Sequence, residues 1–325
     1  MTKLTIQQIA DIAGVNKATV SRVLNGNMNV SQKTQEKVEK VIREHNYVPN
    51  TIARGLAFNK TFTMGFCHDY TDKRAFANPF FYKMLQGIEN VVYRNDYLFL
   101  MMSHPTGQQK KSMFERMVSE QRVDGIILPS TLLNDSSFQL LTANRMPFVV
   151  LGEKEFAHRN VHWVDVDNVQ AAESLTERLI GLGHRRIWIF ADRASIERDK
   201  FIQDRIAGYS NVMAGHGLPS FVVSRLESLL TKESGINDNS LLPDAVICCT
   251  HDQLFSILDE EKKEGSPAEF ELATFDDNPL FQYLSKTVHY ISIDLEQMGE
   301  QAATLLFKKI NQEEDIPDMI RIPTS

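Results

Sequence analysis

The sequence predicts a small all-α headpiece followed by an α/β body of two doubly wound parallel-sheet lobes. Two patterns lead to this fold class. Residues 5–45 carry apolar side chains at helical spacing, in segments separated by short polar turns. From Thr63 onward, short apolar strands alternate with longer amphipathic helices, in two consecutive sets. Such alternation indicates parallel sheets covered by helices on both faces.

The first two predicted helices form a helix-turn-helix within residues 5–25, TIQQIADIAGVNKATVSRVLN. Thr5 and Gln8 have the spacing of a capping box at the start of the first helix. Gly14 stands where the turn needs a residue that tolerates positive φ. Asn16 is suited to cap the second helix.

The outward face of the second helix favours contact with DNA. Its residues are small, polar or basic, namely Lys17, Ala18, Ser21, Arg22 and Asn25. A helix that enters the major groove needs side chains of these types. The alternative is an ordinary helix hairpin whose outer face is merely solvated.

The charge distribution separates the headpiece from the body. The chain of 325 residues has a net charge of −7. Residues 1–60 hold nine basic and four acidic residues, so their net charge is +5 and that of the remainder is −12. A basic head on an acidic body fits a phosphate-contacting module joined to a domain with another task.

A third helix and a connector complete the N-terminal region. Ser31 is predicted to cap the helix, which runs to about His45. Residues 47–60 are too short and too rich in helix breakers to be a stable helix alone. Leu56 in this connector is either an apolar wedge for a minor-groove base step or a linker residue that packs on the body.

These stretches resemble the headpiece and hinge of the lactose repressor family (LacI/GalR), with residues 30–57 reading VSQKTQEKVEKVIREHNYVPNTIARGLA. The resemblance implies base contacts in the major groove for Lys17, Ala18 and Arg22. It implies phosphate contacts for Thr19, Ser21, Asn25, Ser31 and Thr34, and minor-groove contacts for Asn50, Ala53, Arg54 and Leu56. The capping residues Thr5 and Asn16 complete the predicted DNA-binding set.

The resemblance continues through the body in VDVDNVQAAESLTERLIGLGHRRI, DRIAGY, TFDD and SIDLEQMGEQAATLL. It implies two lobes of periplasmic-binding-protein type. We predict a headpiece at 1–46, a hinge at 47–60 and an effector-binding and dimerisation domain at 61–325. Lobe 1 is expected to span about 61–160 plus 292–318, and lobe 2 about 161–291 plus the C-terminal tail.

A ligand cleft is expected where the carboxyl ends of the two sets of parallel strands face each other. The polar and aromatic residues at these ends are typical of a sugar site. The predicted effector-binding residues are Asp69, Asn78, Phe80, Ser103, Ser130, Asp167, Arg205, His251, Asp252 and Asp276. Each single acid could instead be a helix cap or part of a solvated loop.

The resemblance makes Arg205 and Asp276 the principal sugar ligands and places Asp167 and Asn168 at the crossover between lobes. His251 departs from the family, which commonly has Asn before the Asp that corresponds to Asp252. His251 could donate to a sugar hydroxyl or simply fill space. The stretches NPFF at 78–81 and FVVLG at 148–152 are most similar to family members that control maltose or other α-glucoside genes.

No enzyme, metal or cofactor signature emerges from the motifs. The sequence lacks a Gly-x-Ser-x-Gly elbow, a phosphate-binding Gly-x4-Gly-Lys and a His-Glu-x2-His pair. His158 and His162 lack an obvious third metal ligand. Gly183 follows a predicted helix, which favours a C-cap over a dinucleotide loop. Cys248 and Cys249 are adjacent, and no signal peptide or membrane span is evident, so a bacterial cytoplasmic protein, nucleoid-associated when bound to DNA, is expected.

The leading hypothesis is a repressor of a carbohydrate-utilisation operon that binds a palindromic operator as a homodimer. Its effector would be a small sugar, such as maltose, that either releases the protein from DNA or strengthens its binding to DNA. A sugar phosphate or a phosphocarrier partner stays open as an alternative. A plain sugar-binding protein and an enzyme that uses the cleft are the competing classes.

Overall fold

The computed structural model describes residues 4–24, 30–47, 55–56, 58–68, 79–103, 112–153, 161–226, 229, 242–265 and 269–324. The chain divides into two compact units, Met1–Thr61 and Phe62–Ser325. The predicted fold class is confirmed in both units. None of the described helices is long and apolar enough to cross a bilayer.

The headpiece contains three helices, α1 (Ile6–Ala13), α2 (Lys17–Leu24) and α3 (Gln32–Glu44). The capping box of Thr5 and Gln8 is formed at the start of α1, and Gly14 ends that helix with φ 60°. The three helices enclose a small core of fully or nearly fully buried side chains, namely Ile9, Ala10, Ala13, Val20, Val38 and Val41.

Lobe 1 is a six-stranded parallel sheet flanked by helices. Its elements are β1 (Thr63–His68), α4 (Pro79–Arg94), β2 (Leu98–Ser103), α5 (Met113–Ser119), β3 (Gly125–Pro129), α6 (Asp135–Ala143), β4 (Phe148–Leu151), β5 (Trp163–Val166), α11 (Leu295–Ile310) and β11 (Met319–Ile322). The strand order is β11-β5-β4-β3-β1-β2. The two helices α4 and α11 pack side by side on this sheet.

Lobe 2 is a five-stranded parallel sheet of order β10-β9-β8-β6-β7. Its elements are α7 (Asn168–Gly181), β6 (Ile187–Phe190), α8 (Arg193–Arg198), α9 (Lys200–Gly215), β7 (Phe221–Val223), β8 (Ala245–Cys248), α10 (His251–Glu264), β9 (Glu271–Phe275) and β10 (Val288–Ile291). Helices α7 and α9 pack against each other.

Two segments belong to a different lobe from the one predicted. Strand β5 pairs with β4 through Val150 and Trp163, and β11 pairs with β5 through Met319 and Trp163. Residues 163–166 and the C-terminal strand therefore extend the first sheet, so their assignment to lobe 2 is wrong. The chain crosses to lobe 2 only after Val166, and the alternating sequence pattern could not show which sheet each strand joins.

Two glycines allow α4 and α11 to approach closely. A Cβ placed on Gly87 would lie 2.0 Å from the carbonyl oxygen of Glu296, and one on Gly299 would lie 2.1 Å from that of Met84. Both obstacles are backbone atoms, which cannot move without shifting a whole helix. The pair therefore behaves as a tightly packed unit of lobe 1.

Candidate functional site

Helix α2 presents Lys17, Ala18 and Arg22 to solvent, while Val20 is buried in the headpiece core. Asn16 caps this helix, because its Oδ1 accepts hydrogen bonds from the backbone N of Thr19 at 2.7 Å and from its Oγ1 at 2.9 Å. The buried face and the cap fix the direction in which the exposed residues point. This arrangement suits insertion of α2 into a major groove.

Of the predicted phosphate contacts, Ser31 and Thr34 lie at the start of α3, and Thr19 and Ser21 lie on α2. Thr5 and Ser31 are exposed caps of α1 and α3. Thr34 shares a 2.8 Å hydrogen bond with the Ser31 hydroxyl, and Ser21 is half-buried on α2. Exposed helix N-termini attract phosphate through their free N–H groups.

The described residues include only part of the predicted DNA-binding set. Asn25, Asn50, Ala53 and Arg54 lie outside the described residues. Leu56 is described, and its side chain is 87% exposed. An apolar side chain with this exposure is available to a partner surface.

Arg205 is the buried cation of lobe 2. Its guanidinium lies over the ring of Phe275, 4.0 Å from the centroid, and 5.1 Å from that of Phe201. Its Nη1 donates to the carbonyl oxygen of Cys249 at 2.5 Å, and its Nε donates to Oδ1 of Asn168 at 3.0 Å. Burial lowers the pKa of Arg205 to about 10, so the group stays charged at neutral pH.

A chain of buried polar groups links Arg205 to lobe 1. Asn168 donates from Nδ2 to Oδ1 of Asp165 at 3.4 Å and to the carbonyl oxygen of Val166 at 3.1 Å. Asp165 lies within β5 and accepts from the backbone N of Glu153 at 2.7 Å. Burial raises the pKa of the Asp165 carboxyl. The guanidinium is therefore held through residues on both sides of the crossover.

Asp276 follows β9 in a left-handed conformation with φ 67°. The residue is 1% exposed, and its Oδ2 has no hydrogen-bond partner among the described residues. Burial and a hydrogen bond with Asp277 raise the pKa of Asp276 to about 7, against the opposing charge of Lys83. A buried carboxyl oxygen without a partner is suited to accept a hydrogen bond from a ligand hydroxyl.

Lys83 reaches this carboxyl pair from lobe 1. It lies on α4, and its Nζ forms an ion pair with Asp277 and lies 3.8 Å from Oδ1 of Asp276. The hydrogen bond from Lys83 lowers the pKa of Asp277. The two lobes are thus joined by charge at the strand ends.

His251 is 5% exposed and bonded to protein groups. Nδ2 of Asn278 donates to its Nδ1 at 3.1 Å, which leaves the proton on Nε2 to be donated to the carbonyl oxygen of Asp276 at 3.3 Å. Burial lowers the pKa of His251 to about 4. The ring therefore holds the turn after β9, which corresponds to the space-filling alternative for this residue.

A cavity of about 580 Å³ lies at the carboxyl ends of β6, β7 and β8. Its lining includes Phe190, Asp192, Phe201 and the predicted residue Asp252. Asp192 also caps α8, because its Oδ1 accepts from the backbone N of Ser195 at 3.0 Å. The wall thus combines aromatic rings with acids and the arginines Arg198 and Arg225, whereas Arg205 and Asp276 are not among its lining residues.

The remaining predicted effector residues are placed less directly. Asp167 caps α7 by accepting from the backbone N of Gln170 at 3.0 Å. Ser130 follows β3 in lobe 1. Asp69 and Asn78, and the side chains of Phe80 and Ser103, lie outside the described part of the chain.

Comparison with known proteins identifies both units. The family "Bacterial regulatory proteins, lacI family" matches residues 5–50, and "Periplasmic binding protein-like domain" matches residues 176–325. Catabolite control protein A of Staphylococcus epidermidis is 30% identical over 318 residues, which cover 96% of this chain and 94% of that protein. The chain belongs to the lacI family. It is a DNA-binding transcriptional regulator.

Other lacI-family proteins show the same relationship along nearly the whole chain. The regulator MalR of Staphylococcus xylosus is 30% identical over 92% of this chain and 89% of its own. A solved complex of the regulator CelR with cellobiose has a TM-score of 0.66 and 25% identity, covering 99% of this chain and 98% of that chain. A lac repressor dimer bound to operator has a TM-score of 0.69 at 19% identity, with coverages of 100% and 97%, and shares the fold.

Within this lacI-family body, sequence reasoning missed Lys83 and Asp165 as members of the site. Asp165 carried a usable signal, because it is an acid in the middle of an otherwise apolar strand, WVDV. Lys83 carried none, since its partner is 194 residues away. The family is one of transcriptional regulators, in agreement with the non-enzyme interpretation.

Proposed function

We propose that this regulator represses a carbohydrate-utilisation operon by binding a palindromic operator as a homodimer. The exposed residues of α2 are too few to read more than a short half-site, so a two-fold dimer supplies the specificity. The net charge of +5 on residues 1–60 supplies the attraction to phosphates. In the dimer, two copies of Leu56 would meet over the central base step.

The effector is a small sugar held in the cleft, and the relation of Arg205 to Asp276 carries this proposal. The charged guanidinium of Arg205 is fixed by two rings and two hydrogen bonds. It interacts electrostatically with Asp276, whose buried Oδ2 has no partner among the described residues. Such a pair offers donors and an acceptor to vicinal hydroxyls.

Within sugars, we propose an α-glucoside of the maltose type. This choice is supported by the stretches NPFF at 78–81 and FVVLG at 148–152, which are most similar to family members that control maltose or other α-glucoside genes. The complex of CelR with cellobiose supports the general class of glucose disaccharides. It also makes the glycosidic linkage of cellobiose the alternative to that of maltose.

Effector binding would act on the arrangement of the two lobes. A sugar that contacts Asp276 enters beside the carboxyl group that Lys83 reaches from lobe 1. If the sugar displaces or recruits Lys83, the ionic contact between the lobes changes. A movement of α4 would then also move α11, because the two helices are tightly packed. The coupling of this movement to the hinge is the allosteric step.

Isothermal titration calorimetry of the full chain with maltose and cellobiose tests the effector. We expect maltose to bind once per chain and Arg205→Lys to weaken it at least about tenfold, because the planar stacked fork is lost. Arg193→Lys, at an exposed position of α8, is the matched control and should change nothing. Preferential binding of cellobiose would show that the proposed maltose-type linkage is wrong. Binding of neither sugar would contradict the effector proposal.

A further inference from the structure

A cluster of two histidines and a glutamate lies at the amino ends of the lobe 2 strands, opposite the effector cleft. His184 precedes β6, Glu271 is the first residue of β9, and His289 lies in β10. Nε2 of His184 is 3.1 Å from Oε2 of Glu271, and Nε2 of His289 is 2.6 Å from the same oxygen. One ligand atom from each residue lies within 4.8 Å of the others.

A second carboxylate lies beside one of these rings. Nδ1 of His184 faces Oδ1 of Asp244 at 3.5 Å. Asp244 is itself fixed, because its carboxylate accepts from the backbone N of Arg185 and Arg186 at 3.1–3.2 Å. A histidine that binds a metal through one nitrogen usually directs its other N–H to a carboxylate. Asp244 lies at ion-pair distance on the Nδ1 side of His184, so a small rotation of the ring would complete this relationship while Nε2 stays at the cluster.

We propose that His184, Glu271 and His289 form a binding site for a divalent transition metal, with Zn²⁺ as the best match. Two imidazole nitrogens and one carboxylate oxygen are a ligand set that Zn²⁺ uses, with water in the fourth position. Bonds of about 2.1 Å in a tetrahedral site separate the ligand atoms by about 3.4 Å. The two imidazole nitrogens lie 3.1 and 2.6 Å from Oε2 of Glu271, closer than this value, so the side chains must rotate slightly apart to admit the ion.

The ordinary alternative is a hydrogen-bonded cluster in which both imidazoles donate to Glu271. Metal binding differs from it in a checkable way, because each Nε2 must lose its proton and turn its lone pair to the ion. The metal would then tie together the segment before β6, strand β9 and the outermost strand β10. Lobe 2 would be stabilised independently of any sugar, so this site goes beyond the proposed function.

The test uses the full chain without a histidine tag, stripped with a chelator and dialysed. Zn²⁺ is titrated in competition with a chromophoric chelator, and the bound metal is counted after equilibrium dialysis. We expect one Zn²⁺ per chain and a raised Tm in its presence. His289→Ala and the isosteric Glu271→Gln should each weaken binding at least tenfold.

The matched control is His216→Ala, which removes another histidine that contacts a carboxylate, that of Glu177, at 3.0 Å. This variant should keep full metal binding. Co²⁺ provides a second readout, since its visible absorption spectrum reports nitrogen and oxygen coordination. Absence of a Zn²⁺ equivalent in the wild type, or equal affinity in wild type, His289→Ala and Glu271→Gln, would overturn the proposal.

Discussion

Lys83 of lobe 1 and Asp277 of lobe 2 form an ion pair across the strand ends of the body. The Lys83 side chain is 38% exposed, and its Nζ also lies 3.8 Å from Oδ1 of the buried Asp276. A contact between lobes at this position depends directly on their separation. It therefore connects the protonation of Asp276 with the arrangement in which the effector would bind.

Lys83→Met should raise the pKa of Asp276 further above its value of about 7, because the charge of Lys83 opposes the effect of burial. The pKa of Asp277 should rise as well, since Lys83 is the main cause of its lowering. Carbon-13 NMR titration of labelled aspartate carboxyls, assigned with Asp276→Asn, measures both. Lys263→Met, in an exposed ion pair on α10, is the control. Unchanged midpoints in Lys83→Met would show that the pair does not form in solution.

Gly87→Ala should destabilise the body by about 1–3 kcal/mol, because the new methyl group meets the backbone of α11. Gly181→Ala is the matched control at the end of α7, where an added Cβ meets no atom within 4 Å. That change should be neutral or stabilise by up to about 1 kcal/mol. Urea denaturation of both variants measures the difference, and equal stabilities would contradict the close packing of α4 on α11.

His251 should make the stability of lobe 2 sensitive to acid. Its pKa is about 4 in the folded chain against 6.5 in the unfolded chain, so the unfolded state binds the proton first. Stability is therefore present above pH 6.5 and is lost as the pH falls toward 4. The raised pKa of Asp276 has the opposite effect on stability, because it favours the folded state at lower pH. Asp276 is present in the wild type and in a His251 variant, so the comparison of these two proteins reports the contribution of His251.

His251→Asn isolates this effect. Between pH 7 and pH 5 the wild type should lose about 2 kcal/mol relative to the variant. Chemical denaturation at a series of pH values gives the two curves. Parallel curves would mean that His251 is not held neutral by burial.

Leu56→Ala should weaken operator binding about tenfold and leave sugar binding unchanged, because an exposed leucine that becomes buried in DNA contributes about 1.5–3 kcal/mol. Leu182→Ala alters an equally apolar but peripheral side chain that is 57% exposed on the body. It should affect neither activity. Parallel loss of both activities in Leu56→Ala would contradict the division of labour between hinge and cleft.

The sequence supports some parts of this account better than others, for physical reasons. Arg205 and Asp276 lie in the motifs DRIAGY and TFDD, so the resemblance to the family was sufficient to propose them. The contacts of Lys83 with Asp277 and of His184 with Glu271 join residues that are 194 and 87 positions apart. Only the packing of the lobes brings such residues together. Strand pairing is likewise decided by packing, which is why the sequence pattern predicts the wrong lobe for β5.

We propose that a sugar in the cleft controls operator binding by the headpiece. Fluorescence anisotropy of a labelled palindromic duplex with a central C-G step, selected from a randomised pool, tests it at fixed salt, because phosphate contacts make the affinity depend on salt. We predict specific binding to this duplex over a scrambled one, release by maltose from the wild type, and no release from Arg205→Lys. Equal binding to both duplexes, or release of Arg205→Lys at the same maltose concentration as the wild type, would contradict the account.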